Sequence, residues 1–141
     1  MNPREPVILL AEDDRNDVFF VRRGIEQAGA RVSLRVLPDG KDVIDYLAAR
    51  GMFADRNQFP LPSLLLLDLK MPLAGGFDVL EWLRTQPALD YLPVIVLTSS
   101  PEERDRQKAA KLGATRYFVK PPTQEMVSEM IQLMRSAPTA M

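Results

Sequence analysis

Four apolar runs punctuate the chain, at Val7 to Ala11, Val32 to Leu37, Leu64 to Leu67 and Pro93 to Leu97, with a weaker fifth at Arg116 to Val119. Most are continuous rather than alternating. Successive Val, Ile and Leu residues with no polar position between them read as strands covered on both faces, the kind used in parallel sheets. The segments between the runs have helical spacing. Val18, Val21, Ile25 and Ala28 follow Asn16-Asp17, which can cap, and stop at Gly29, which can terminate. Asp39-Gly40 precedes an inward set of Val43, Ile44 and Leu47, and Gly75-Gly76 precedes Phe77, Leu80 and Leu83. A fourth helix is placed at Ser100-Pro101, because Ser100 and Glu103 have capping-box spacing and Pro101 then falls at the first helical position. A fifth begins near Thr123 and carries Met126, Val127, Met130, Ile131 and Met134 on one face, a stripe that reads first as core.

Strand and helix alternate five times, which predicts an α/β fold: a five-stranded parallel sheet, doubly wound, with right-handed crossovers and helices on both faces in three layers. Residues 50–63 have no periodicity and contain Pro60 and Pro62. That connection exceeds the usual length of about 2–6 residues, so it is either idle or a contact loop. The tail from Ser136 (SAPTAM) reads as frayed. No repeat or linker divides the chain, so 141 residues are read as one domain with its core at about residues 6–135.

In such sheets ligands sit beyond the carboxyl ends of the strands, so the polar residues there are the candidates for chemistry. Strand one ends in Glu12, Asp13 and Asp14, strand three in Asp68, strand four in Thr98 with Ser99 and Ser100 behind it, and strand five in Lys120-Pro121. Each has an ordinary structural explanation when taken alone: acids cap helices, Thr is common at strand ends, and Lys pairs with surface carboxylates. Asp68 is harder to explain that way, because it follows four leucines at the mouth of a buried strand. Carboxylates gathered there repel one another until a cation joins them.

Composition narrows the cation and the reaction. Cys and His are both absent, which excludes disulfides, Cys or His zinc sites, thiol and Ser-His-Asp catalysis, and phosphohistidine on this chain. All-oxygen ligands favour Mg2+, with Mn2+ as its substitute. A carboxylate nucleophile at Asp68, a bridging metal, and Lys120 and Thr98 on the remaining oxygens would together make a phosphoryl-transfer site, where positioning and charge neutralisation carry the reaction. A net charge of -1 lacks the basic field that duplex DNA binding uses, so nucleic acid is not expected as a partner. No apolar run approaches the ~20 residues needed to span a bilayer, and Met1 to Pro6 lacks a signal-peptide core. A cytoplasmic protein without membrane contact is expected.

With ILLAEDD at the first strand, LLLLDLKMP at the third, VIVLTSS at the fourth and YFVKPP at the fifth, the chain from about Val7 to Met134 resembles the receiver domain of two-component response regulators. The intervals of 30 residues from Asp68 to Thr98 and 22 from Thr98 to Lys120 are typical of that family. The resemblance implies the flavodoxin-like strand order 2-1-3-4-5 and a role as a phosphoacceptor switch rather than an enzyme, with phosphotransfer and autodephosphorylation its only reactions. It implies that Asp68 accepts a phosphoryl group from a sensor histidine kinase. Asp13 would bind Mg2+ directly, Glu12 through water, and the Lys70 backbone carbonyl would complete the ligands. Thr98, Tyr117 and Lys120 would form the phosphoryl-binding and switch set, with Tyr117 changing rotamer, and Lys120-Pro121 would be a cis peptide. Lys70 and Ser100 occupy the positions that tune phosphoryl lifetime. Asp14 lies just past the acidic pair and reads as a helix-start acid.

No output domain is expected after the last helix, so the output would be a protein contact. The loop before Leu64 and the stretch LPVIVLTSSPEE look like stand-alone receivers that partner bacterial phytochromes, and a homodimer through helix 4, strand 5 and helix 5 is the pairing such receivers use. Three rivals stand beside this reading. A haloacid-dehalogenase-type, Mg-dependent aspartyl phosphatase needs a general-acid carboxylate two residues after the nucleophile, where this chain has Lys70. A flavin binder of the same topology needs a phosphate loop after strand one, where this chain has carboxylates. A phosphorylation-independent adaptor would keep the fold and fail to bind Mg2+.

Overall fold

The computed structural model describes residues 5–136. Of the tail read as frayed, Ser136 closes the last helix, and the residues after it lie outside the described residues, as do Met1 to Arg4. Five parallel strands, β1 (Val7–Ala11), β2 (Ser33–Leu37), β3 (Leu64–Leu67), β4 (Val94–Thr98) and β5 (Arg116–Val119), lie in the order β2-β1-β3-β4-β5. Five helices connect and follow them: α1 (Arg15–Gln27), α2 (Gly40–Leu47), α3 (Gly76–Leu83), α4 (Glu103–Lys111) and α5 (Gln124–Ser136). No helix among the described residues is long and apolar enough to cross a membrane.

The continuous apolar runs are divided between two cores. Leu9 and Ala11 of β1, with Leu65 and Leu67 of β3, face Val43, Val79 and Leu80 of α2 and α3. Ile8, Leu10, Leu64 and Leu66 point the other way, onto Val21 and Ile25 of α1 and Val127, Met130 and Met134 of α5. Because successive side chains on a strand alternate faces, both must be apolar when helices cover each side. The alternating V-S-L-R-V-L stretch is different: β2 is the sheet edge, and its residues are half-buried throughout. The Met stripe of α5 is core, as its spacing suggests.

Helix α4 departs from expectation. It starts at Glu103 with Glu102 as its N-cap, and the Ser100–Glu103 capping box does not form. The Ser100 hydroxyl donates to Asp105 Oδ2 at 2.7 Å and accepts from Glu102 N at 3.3 Å. The Ser100 carbonyl accepts from the Tyr117 hydroxyl at 2.8 Å. With Ser100 held against β5, the chain needs two more residues before it can turn into the helix. Only Ala109 of α4 is buried, so side-chain tethers supply much of its attachment. Lys108 Nζ lies 4.3 Å from the Phe77 ring centroid, and Arg84 donates to the Lys111 carbonyl at 2.7 Å.

The loop over residues 50–63 is held in place by its own side chains and carbonyls. The Arg56 guanidinium donates to the carbonyls of Tyr46 (2.8 Å), Leu47 (2.7 Å) and Phe59 (3.1 Å). Tyr46, Phe53 and Phe59 pack as a ring cluster with centroids 5.2–5.9 Å apart. The Tyr46 and Tyr91 hydroxyls tie down the Pro60 and Pro62 carbonyls at 2.8 and 2.9 Å.

One close approach positions the end of β3. A Cβ on Gly76 would sit 2.4 Å from the Asp68 carbonyl oxygen, so only glycine lets the first turn of α3 pack against the strand end. Gly76→Ala is expected to cost about 2–3 kcal/mol, since the backbone of β3 and α3 must separate. A urea midpoint equal to that of the wild type would show that this approach is not a constraint.

Candidate functional site

The site lies where β1, β3 and β5 end and α1 begins. The ladder continues one residue past each strand: Glu12 N donates to Leu37 O (2.9 Å), Asp68 N to Ala11 O (3.1 Å) and Lys120 N to Thr98 O (2.8 Å). These bonds set Glu12, Asp68 and Lys120 at one height above the sheet. Their side chains are nearly buried, with relative exposures of 2%, 9% and 10%.

Lys120 is the hub. Its ammonium donates to Glu12 Oε1 in a short bond, to Asp17 Oδ2 at 2.7 Å and to Asp68 Oδ2 at 3.0 Å, so all three N–H bonds are used. Glu12 Oε2 accepts from the backbone of Asp13 and Asp14 at 3.1 and 3.2 Å, and Asp68 Oδ1 from Lys70 N at 3.4 Å. Carboxylate oxygens of Glu12, Asp13 and Asp68 lie within 4.8 Å of one another, with Asp13 exposed at the mouth. The Lys120-Pro121 peptide is cis.

The charges are unevenly matched. Burial and the charge of Asp68 push the Glu12 carboxyl up to about 7, against the pull of its hydrogen bond to Lys120. Burial works to lower the Lys120 ammonium, but its bonds to Asp17, Glu12 and Asp68 together hold it above the usual lysine range. Between pH 4.5 and about 7 the folded state therefore keeps a Glu12 proton that the unfolded chain has released, and stability falls as pH rises through that window. Urea unfolding from pH 5 to 8 should show this fall, and Glu12→Gln should flatten it; an unchanged slope in the variant would place the titration elsewhere.

A second cluster joins the site to α4. Thr98 is fully buried, and its hydroxyl accepts from Ser100 N at 3.4 Å. Tyr117 is buried with its hydroxyl on the Ser100 carbonyl, and the Arg106 guanidinium lies 4.6 Å from its ring centroid while donating to the Tyr117 carbonyl at 3.2 Å. Tyr117 lies inward in this structure, with Ser100 holding its hydroxyl and Arg106 its carbonyl.

The fold brings Glu12, Asp13, Asp68 and Lys120 together, and buries Thr98, Ser100 and Tyr117 in the adjoining cluster. The Lys70 side chain is exposed. Asp14 accepts from the backbone of Asn16 and Asp17 at 2.8 and 3.3 Å as the N-cap of α1, a helix-start acid. Asp17 went unrecognised in the sequence, where Asn16-Asp17 reads as a capping pair. The available signal was phase: Asp17 precedes Val21 by four residues and so shares the buried face of α1.

A family model described as the response regulator receiver domain matches residues 8–132. The chain is 32% identical over 126 residues to the response regulator Rcp1 of Synechocystis sp., covering 89% of this chain and 84% of Rcp1. The structure of the Mn2+-bound form of Rcp1 superimposes with a TM-score of 0.78 at 29% identity, over 93% of each chain. Response regulator RPA3017, described in red light signalling of R. palustris, matches with a TM-score of 0.83 at 33% identity, covering 95% of this chain and 99% of that one. The phosphorylated cyanobacterial phytochrome response regulator RcpA matches with a TM-score of 0.77 at 26% identity, covering 94% and 90%.

Proposed function

The chain belongs to the response regulator receiver domain family, and from that premise we propose that it is a phosphoacceptor switch in which Asp68 takes a phosphoryl group from a sensor histidine kinase of the phytochrome type. The observation that carries this reading is the Lys120 ammonium bonded to Asp68 beside a cluster of three carboxylates. An Asp68 oxygen attacks phosphorus in line, the bond from phosphorus to the kinase imidazole breaks, and that imidazole nitrogen takes a proton. Lys120 meets the charge on the phosphoryl oxygens, and the Thr98 hydroxyl donates to another.

The donor set suits a hard divalent cation, since it is all oxygen and carries more negative charge than Lys120 balances. Asp13 and Asp68 would hold Mg2+, with the Lys70 carbonyl and Glu12 through water, and the ion would supply neutralisation of the transferring oxygens. Mn2+ bound to the related Rcp1 supports the assignment. Incubation with acetyl phosphate and Mg2+ should add the mass of one phosphoryl group, lost when EDTA is present. No addition, together with no Mg2+ binding by calorimetry, would contradict the proposal and favour a phosphorylation-independent adaptor.

The output is a population shift in α4, β5 and α5, the surface through which we also propose a homodimer forms. The element proposed to move is α4, whose tethers run through Ser100 and Arg106. The phosphoryl group biases it by drawing on Thr98, one bond away from Ser100. Thr98→Ala should take up the phosphoryl group yet show under about a tenth of the wild-type change in α4 amide exchange. An equal change in both proteins would remove Thr98 from the switch.

A further inference from the structure

The three partners of Lys120 are not equivalent. Glu12 and Asp68 belong to the cluster whose oxygens lie within 4.8 Å of one another, whereas Asp17 does not. Asp17 comes from the first turn of α1 rather than from a strand end, and the capping of that helix is done by Asp14, so its carboxylate is left to Lys120. A divalent cation entering the cluster would draw on the negative charge of Glu12 and Asp68 that now holds the ammonium. The cation would thereby weaken two of the three bonds and set a second positive charge beside the ammonium, which would be driven outward unless a carboxylate outside the cluster retained it.

We propose that Asp17 is a positioning residue for phosphoryl transfer: it keeps the Lys120 ammonium at the pocket once the metal draws on Glu12 and Asp68, before the phosphoryl group arrives. The proposal rests on the phosphoacceptor reading above. Asp17 touches neither the phosphoryl group nor the metal; it acts through Lys120, and it joins the first turn of α1 to the end of β5 across 103 residues of sequence. A neutral side chain at this position leaves the lysine with one partner fewer at the moment when it is needed.

Two measurements test this, and one does not depend on phosphorylation. In lysine-ammonium NMR with saturating Mg2+ and no phosphoryl donor, the Lys120 signal should persist in the wild type and in Asp17→Glu, and broaden beyond detection in Asp17→Asn. Persistence in Asp17→Asn overturns the proposal whether or not the domain is a phosphoacceptor. In the second, initial phosphoryl uptake from acetyl phosphate is followed at Mg2+ concentrations shown by calorimetry to saturate each variant. Asp17→Asn should be slower by about tenfold, Asp17→Glu should recover most of the rate, and Asp17→Asn should add no further loss in a Lys120→Met background. A loss of the same size in that background would mean that Asp17 acts as bulk charge and would overturn the proposal. Failure of the wild type to take up any phosphoryl group would refute the phosphoacceptor reading while leaving the NMR result to decide on Asp17.

Discussion

Asp68→Asn is expected to leave a folded domain that takes up no phosphoryl group. The amide has nearly the shape of the carboxylate, and its oxygen can still accept from Lys70 N, the bond that Oδ1 accepts in the wild type. What disappears is the charged nucleophile, and a carboxamide oxygen does not form a stable bond to phosphorus. Stability should not fall, because Asp68 is also a source of strain: its charge helps to hold Glu12 near 7, and an uncharged residue lets Glu12 ionise against Lys120 at lower pH. Intact mass after exposure to acetyl phosphate and Mg2+ gives the first result, and urea unfolding at pH 7.5 the second. Residual uptake above about a hundredth of the wild-type rate would mean that another group accepts the phosphoryl unit.

Lys120→Met should have the largest effect on stability. The methionine fills similar volume but removes the cation that three carboxylates share, two of them nearly buried. Removing one partner of a buried ionic set typically costs about 3–5 kcal/mol, because the remaining charges stay desolvated and unpaired. With its ammonium held above the ordinary lysine range, Lys120 contributes in full below about pH 10 and loses that contribution only as pH rises through the folded-state value. The variant should therefore be about 3 kcal/mol less stable at pH 8, and should recover when acid protonates Glu12 or when Mg2+ replaces the lost charge. Urea midpoints with and without Mg2+ decide the matter, and equal stability at pH 8 without metal would show that the carboxylates do not depend on Lys120.

How much of this was legible in the sequence depended on which constraint wrote the residue. The strands could be read because covering a strand on both faces requires an unbroken apolar run, and Leu64 to Leu67 satisfies that requirement with no polar position. The strand order was different in kind, since the pattern does not say which strands are neighbours; it came from the resemblance to receivers. At α4 the letters misled: Ser100, Pro101 and Glu103 have the spacing of a helix start, but a partner distant in sequence, Tyr117, claims the Ser100 carbonyl and delays the turn. Tertiary competition for one backbone group overrode a local signal. The loop at residues 50–63 was opaque because Arg56 organises it through carbonyl oxygens, which every residue carries and no pattern marks.

The site shows the same division. Glu12, Asp68, Thr98 and Lys120 stood out because a polar residue at or directly after the end of a buried strand has few structural reasons to be there, and the ladder bonds past each strand end bring three of these side chains to one level. Asp17 did not stand out, since an acid in the first turn of a helix is ordinary. Its partner lies on another element, and only the phase it shares with Val21 and Ile25 pointed inward. Tyr117 was singled out through the resemblance alone, and its contact with Arg106 through neither route.

The most direct test is to locate the phosphoryl group chemically. Borohydride reduces an aspartyl phosphate to homoserine and leaves free carboxylates and phosphoserine or phosphothreonine unchanged. Protein phosphorylated with acetyl phosphate and Mg2+, reduced and mapped by peptide mass spectrometry should carry homoserine at position 68 and at no other acidic position. Homoserine at Asp13 or Asp17 with Asp68 intact, or phosphate retained on Thr98 or Ser100, would contradict the assignment of Asp68 as the acceptor.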